Sequence, residues 1–150
     1  MTTRTDVLVV GAGIVGTAVA AELAGHRSVH LLDAGDESLA GSTGHAPGFL
    51  GEFGGSPVAT ALATATTNAL EALVGDDPTT FARTGCLEVM TTAAGAVALP
   101  DRIAAARAQG LVVDEIEPAE AARLVPDVVR PEAVTAAALF PRDAAVDATE

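Results

Sequence analysis

Three glycines constrain this chain more than any other feature. Gly11, Gly13 and Gly16 stand as G-A-G-I-V-G between a short apolar run, Asp6 to Val10 (DVLVV), and a stretch of small and apolar residues, Ile14 to Gly25 (IVGTAVAAELAG). The run before them is continuous and β-branched, the pattern of a strand buried in a parallel sheet. The stretch after them keeps helical spacing and stops at a glycine suited to a C-cap. Ser28 to Asp33 (SVHLLD) reads as a second strand. Strand, helix and strand within about thirty residues make a βαβ unit with a right-handed crossover. In that setting Gly11 permits the tight turn, Gly13 lets a pyrophosphate approach the backbone, and Gly16 lets the helix lie close to the strand. The amides of Ala12, Ile14 and Val15, at the head of the helix, face the phosphates and stabilise their charge. Asp33, twenty residues after Gly13 and followed by Ala34, ends the second strand where a carboxylate accepts hydrogen bonds from an adenosine ribose. An acid there disfavours a 2′-phosphate. The plainer reading is a glycine turn that only packs helix on strand, with Asp33 solvated. The order strand, glycines, helix, strand, acid favours dinucleotide binding, without separating FAD from NAD, which share the adenosine half.

The connection from Ala34 to Gly55 is long for an α/β domain, where links usually run about 2 to 6 residues, and its few charges and many glycines point to function. Ser56 and Pro57 read as N-cap and first residue of a helix that runs to Val74. Beyond it, Gly85 to Thr92 alternates as a strand and Ala98 to Gly110 reads as a helix. Leu111 to Pro118 is a strand or extended link, Pro118 to Pro126 a short helix, and Ala133 to Phe140 another strand. The expected organisation is residues 1–56 as a dinucleotide-binding βαβ with its loop, and residues 57–150 as the start of a second region. The chain stops after PRDAAVDATE with no closing element, which reads as the front of something longer.

Charge removes one class of partner. Twenty acids against eight arginines and no lysine give a formal net charge of −12, which argues against nucleic acid, because phosphate-backbone binding needs clustered cations. No apolar run is long enough to cross a bilayer, and MTTRTD lacks the features of a signal peptide, so the expectation is a cytoplasmic protein with no membrane contact. Cys86 is the single cysteine, and with three scattered histidines it offers no zinc-ligand spacing; it reads as a small packed residue. His26 reads as a capping or solvent-facing residue after the first helix, His30 as a packed or edge position, and Arg142 with Asp143 as a surface pair in preference to part of a substrate rim.

Leu39 to Gly55, LAGSTGHAPGFLGEFGG, holds one histidine, His45, in a loop too rich in glycine to be ordinary core. The segments VVGAGIVGTAVAAEL, VHLLDAG and GSTGHAPG together resemble the start of the FAD-dependent amine oxidoreductases of the glycine oxidase and D-amino acid oxidase type. Within that group they are most similar to dimethylglycine oxidase, dimethylglycine dehydrogenase and sarcosine dehydrogenase. TGCLEV, IEPAEAARLVP and ALFPRDAAVDA continue the resemblance. In those enzymes a G-S-T-x-H-A-x-G segment carries a histidine joined covalently to the flavin 8α-methyl carbon, and His45 stands at that position. The resemblance therefore implies FAD, with covalent attachment through His45 and contacts from Gly41, Ser42 and Thr43. The residues suit it: a neutral imidazole is a competent nucleophile, and glycines let the loop approach a ring system. On residues alone His45 is a plain loop histidine. Gly44 stands where relatives carry a larger residue, and Cys86 where they carry glycine.

The implied fold is α/β, a Rossmann-like FAD-binding βαβ with a parallel sheet plus the beginning of a substrate-domain region, an incomplete fold. The implied activity is oxidation of an N-methylated glycine, dimethylglycine or sarcosine, by hydride transfer to flavin. The resulting iminium hydrolyses or passes its one-carbon unit to a folate, the latter only through a downstream domain absent here. No catalytic residue is assigned within the chain, because the substrate-binding groups of the family lie downstream. The alternative is a catalytically silent, truncated nucleotide-binding module, or a subunit that needs a partner chain. A compact NAD-binding dehydrogenase fits the first 33 residues and fails on the histidine loop.

Overall fold

Two parallel strands joined by one helix open the chain, as the glycine pattern requires. The structure is a computed structural model that describes residues 4–35, 41–75 and 77–148. It comprises two compact units, one running to Pro47 and the other Gly48–Asp147. In the first, β1 (Val7–Val10) and β2 (Val29–Leu32) pair in parallel with Val7 opposite Val29 and Val10 opposite Leu32, and α1 (Ile14–Ala24) crosses between them. Gly11 takes a φ of 102°, in the left-handed region that glycine tolerates, and its amide donates to the Leu32 carbonyl at 2.7 Å. The strands pair as expected, yet they are not buried. Leu8 is 54% exposed and Val10 78%, because a parallel sheet hides its side chains only when layers cover both faces, and this sheet has two strands and one helix.

The second unit is built on two antiparallel sheets and three helices. α2 (Pro57–Val74) starts as the sequence predicts: the Ser56 hydroxyl oxygen accepts from the Ala59 amide at 3.3 Å and Pro57 sits in the first turn, where its missing N–H costs nothing. β5 (Cys86–Met90) and β6 (Asp114–Ile116) flank β7 (Ala136–Phe140). Successive β7 side chains face opposite sides. Ala138 and Phe140 join Leu99, Ile103 and Ala106 of α3 (Ala93–Ala108) in one core cluster, while Ala137 joins Ala121 of α4 (Pro118–Leu124) and Val129 in another. A 3-10 turn, Pro131–Ala133, leads into β7.

α3 begins five residues before the expected Ala98. Its cap is Thr92, whose hydroxyl oxygen accepts from the Gly95 amide at 3.1 Å, and Pro100 lies inside the helix rather than at its head. An internal proline costs a helix about 3 kcal/mol. Burial of Leu99, Ile103 and Ala106 on the same helix offsets that penalty.

β3 (Phe49–Leu50), β4 (Phe81–Ala82) and β8 (Ala144–Val146) form a small sheet in the order β3-β8-β4 that the sequence did not announce. Strands of two and three residues are too short to show a period. Beside this sheet lies a buried ion-pair network. Glu52, 1% exposed, accepts from Arg83 Nη1 at 2.6 Å, and Arg83 also donates to Glu71 Oε2 at 2.7 Å and Asn68 Oδ1 at 2.8 Å. The Glu71 hydrogen bonds, then those of Glu52, raise the Arg83 pKa above the ordinary arginine range.

Arg142 and Asp143 are not the surface pair the sequence suggests. Asp143 is 5% exposed and accepts from the Glu52 amide at 2.9 Å, while Arg142 Nε lies 3.6 Å from Glu52 Oε2. Burial pushes the Asp143 carboxyl above the usual carboxylate range. Cys86 is half-buried against the α3 cluster, and burial pushes its thiol up, away from a reactive thiolate.

Candidate cofactor site

Every expected cofactor residue lies in the first unit, on the turn after β1, the end of β2 and the turn at residues 41–46. Gly16 explains itself sterically: a β-carbon there would overlap the Gly11 carbonyl oxygen and stand 3.0 Å from its carbon, with Val9 Cγ1 at 3.5 Å. The helix lies on the strand turn because position 16 has no side chain. A β-carbon built on Gly11 meets nothing within 4 Å, so the turn itself is open.

Asp33 is held against that turn. Its Oδ2 accepts from the Ala12 amide at 2.6 Å and its Oδ1 from the Gly35 amide at 2.9 Å. The Ala12 bond, then the Gly35 bond, hold its carboxyl below the usual carboxylate range, with a smaller contribution from the Ala34 backbone. The group is therefore ionised near neutral pH, and each oxygen keeps a lone pair for a hydroxyl donor.

Thr43 reaches the other side of the turn. Its Oγ1 accepts from the Ile14 amide at 3.0 Å, and a β-carbon on Gly13 would come within 3.1 Å of the same oxygen. The opening amide of α1 is thus capped by a side chain 29 residues away. Val15, on the same turn of α1, is 74% exposed.

Residues 41–46 form a compact turn. The His45 amide donates to the Ser42 carbonyl at 3.3 Å and the Ala46 amide to the Thr43 carbonyl at 3.1 Å. His45 Nδ1 lies 2.9 Å from the Gly41 carbonyl oxygen, and a carbonyl only accepts, so Nδ1 is the donor and, in a neutral ring, Nε2 carries the lone pair. The ring is exposed. Leu39 and Ala40, at the head of the histidine loop, lie outside the described residues. The spacing of the sequence announces neither the Thr43 cap nor the Asp33 bond to Ala12, because both join segments more than twenty residues apart.

Phosphate oxygens and a ribose fit this donor set: an open glycine turn, helix-end amides, a hydroxyl over Gly13 and an ionised carboxylate at the strand end. No group of three or more His, Cys, Asp or Glu that could hold a metal ion exists among the described residues, and among them no helix is long and apolar enough to cross a membrane. A groove of about 450 Å³ between α2 and the end of α3, lined by Thr60, Thr64, Asn68 and Gln109, includes none of the expected cofactor residues.

Among solved structures, the chain is similar to L-proline dehydrogenase from P. horikoshii, with 22% identity and a TM-score of 0.84 over 99% of this chain and 40% of that one. It is similar to glycine oxidase from Geobacillus kaustophilus, with 28% identity and a TM-score of 0.78 over 98% of this chain and 42% of that one. L-alpha-glycerophosphate oxidase from Mycoplasma pneumoniae, a structure with FAD bound, shares 19% identity and a TM-score of 0.78 over 98% of this chain and 40% of that one. The chain thus spans about two fifths of the length of these proteins. A family model described as FAD dependent oxidoreductase matches residues 6–150. With the glycine turn, the ionised strand-end acid and the mixed α/β architecture in place, the chain belongs to the FAD dependent oxidoreductase family.

Proposed function

We propose that this chain supplies the flavin-binding part of a cytoplasmic amine oxidoreductase acting on an N-methylated glycine, dimethylglycine or sarcosine, with His45 as the covalent attachment point. The observation that carries the reading is the hydrogen bond from the Ile14 amide to Thr43 Oγ1, which holds the histidine turn against the helix end where a pyrophosphate would lie. Two of the similar proteins carry an amino acid in their names, glycine and L-proline, which supports a small amino acid as substrate.

Bound flavin supplies the hydride acceptor. The residues of this chain hold it. The amides of Gly13 and Val15, at the positive end of α1, face the phosphates, with Gly11 and Gly16 shaping the turn, while the amides of Ala12 and Ile14 are taken by Asp33 and Thr43 and hold the turn in shape. Asp33, steadied by Ala12 and flanked by Ala34, accepts from the ribose hydroxyls. Gly41, Ser42 and Thr43 line the loop side. Groups that bind the substrate carboxylate, and any folate site, belong to sequence outside these residues.

Two measurements test the assignment. Expressed with FAD and denatured, the chain is expected to keep a fluorescent flavin on the protein band, and His45→Gln to lose it. Flavin that leaves wild-type protein completely on denaturation sinks the covalent role. Asp33→Asn removes the charge that strengthens the ribose bonds, so FAD affinity by fluorescence titration should drop about tenfold. An unchanged affinity removes Asp33 from the site.

A further inference from the structure

We propose that Thr43 and the Gly41 carbonyl make residues 41–46 a preorganised holder for the His45 imidazole, Thr43 pinning the turn and Gly41 setting the tautomer. The inference rests on the reading of His45 as a flavin attachment point for its purpose, but its geometry exists without any ligand.

The turn carries glycines at 41 and 44, so left to itself it samples many conformations. Four hydrogen bonds restrict it. Three are internal: His45 amide to Ser42 carbonyl at 3.3 Å, Ala46 amide to Thr43 carbonyl at 3.1 Å, and His45 Nδ1 to Gly41 carbonyl at 2.9 Å. The fourth, Ile14 amide to Thr43 Oγ1 at 3.0 Å, ties the turn to a regular element. Thr43 is also the residue that fills the face of Gly13, where its hydroxyl stands 3.1 Å from a would-be β-carbon. Gly13 therefore makes room for Thr43, and the glycine fingerprint and the histidine turn are one constellation.

The Gly41 contact decides which nitrogen is free. A neutral imidazole has one N–H and one lone pair, and in water the two tautomers exchange. A carbonyl acceptor at Nδ1 selects Nδ1–H and leaves Nε2 as the nucleophilic atom, pointing away from the turn. Attachment would form a bond from Nε2 to the 8α carbon at the expense of a methyl C–H, with one proton lost from the methyl group and one from Nδ1, the electron pair passing to the flavin ring and from there to dioxygen. Holding the nucleophile in one tautomer and one place raises its effective concentration at that carbon. Thr43 is thus a positioning residue, acting on His45 through the turn.

The test uses the 150-residue chain labelled with ¹⁵N-histidine, with the His45 signals assigned by His45→Gln. Before any flavin is added, the two imidazole nitrogens of wild type should report the Nδ1–H tautomer, and the Ile14 amide should exchange slowly. Thr43→Val, which keeps the shape and removes the hydroxyl, should speed Ile14 exchange about tenfold and average the tautomers, while Thr43→Ser restores both. With FAD added, the covalently bound fraction formed in a fixed time should fall about tenfold in Thr43→Val and recover in Thr43→Ser. A wild-type Nε2–H tautomer overturns the proposal, whatever the variants do. So does a Thr43→Val protein that keeps wild-type tautomer and exchange. Correct tautomer and Thr43 dependence with no covalent flavin in any protein supports the holder and overturns the attachment role of His45.

Discussion

Gly16→Ala is expected to dismantle the first unit and abolish flavin binding. The new methyl carbon would overlap the Gly11 carbonyl oxygen, which is backbone and cannot rotate aside as a side chain can. Relief requires α1 to lift off the turn after β1, which breaks the Gly11 to Leu32 bond and moves the Ile14 amide away from Thr43. The cost belongs with the largest single-site effects, about 4–5 kcal/mol. A two-stranded unit whose Leu8 and Val10 are more than half exposed has little to set against it. The measurement is an amide correlation spectrum: signals from Val9, Gly11, Ile14 and Leu32 should collapse or shift, while those of Ala138 and Phe140 in the second unit stay put. Gly25→Ala is the control. Its β-carbon meets nothing within 4 Å and its φ of −69° suits any residue, so stability should hold or rise by about 0.4–1 kcal/mol. A Gly16→Ala protein with a wild-type spectrum and wild-type FAD affinity would refute the steric argument.

Arg83→Met should destabilise the second unit by about 3–5 kcal/mol, because it strands the Glu52 carboxylate without its closest cation. The Glu52 side chain is 2% exposed, and the remaining cation, Arg142, lies at 3.6 Å with its own side chain 53% exposed. The Glu71 arm of the network contributes less, since Glu71 is 45% exposed and water screens the pair. Removing the charge as well, in Arg83→Met with Glu52→Leu, should recover much of the loss, as replacement of a whole buried pair is often near neutral. The chain has no Trp or Tyr, so intrinsic fluorescence is uninformative. Urea titration followed by the amide signals of Ala138 and Phe140 reads the second unit directly. A loss below about 1 kcal/mol in the single variant would mean that water reaches Glu52 after all.

Where a local pattern carries its own physics, the sequence was legible. Gly11, Gly13 and Gly16 announced the turn, the helix and the crossover, and β1, α1 and β2 lie within a residue or so of the boundaries read from them. Ser56 and Pro57 announced the start of α2 in the same way, since cap and first-turn proline act within four residues. α3 starts at Ala93 rather than Ala98 because Thr92 caps it, and its packed face explains why the helix tolerates Pro100. The sheet of β3, β4 and β8 was invisible because its strands are shorter than any period. Asp143 looked like a surface charge, as Arg142 is, because burial of a polar residue depends on what folds over it.

The same division runs through the candidate site. The sequence alone determined that a glycine turn joins the first strand to the first helix, that an acid ends the second strand, and that a histidine follows in a glycine-rich loop. Each of those is a matter of residue type at short spacing, where backbone conformation and side-chain chemistry suffice. Only the tertiary structure decided that Asp33 bonds to Ala12, that Thr43 caps Ile14, and that Gly41 holds Nδ1 of His45. The first two join segments separated by 21 and 29 residues, and the third depends on the shape the turn takes once it is pinned. Distances of that kind come from how the chain closes on itself, because a hydrogen bond between remote residues leaves no period in the sequence to read.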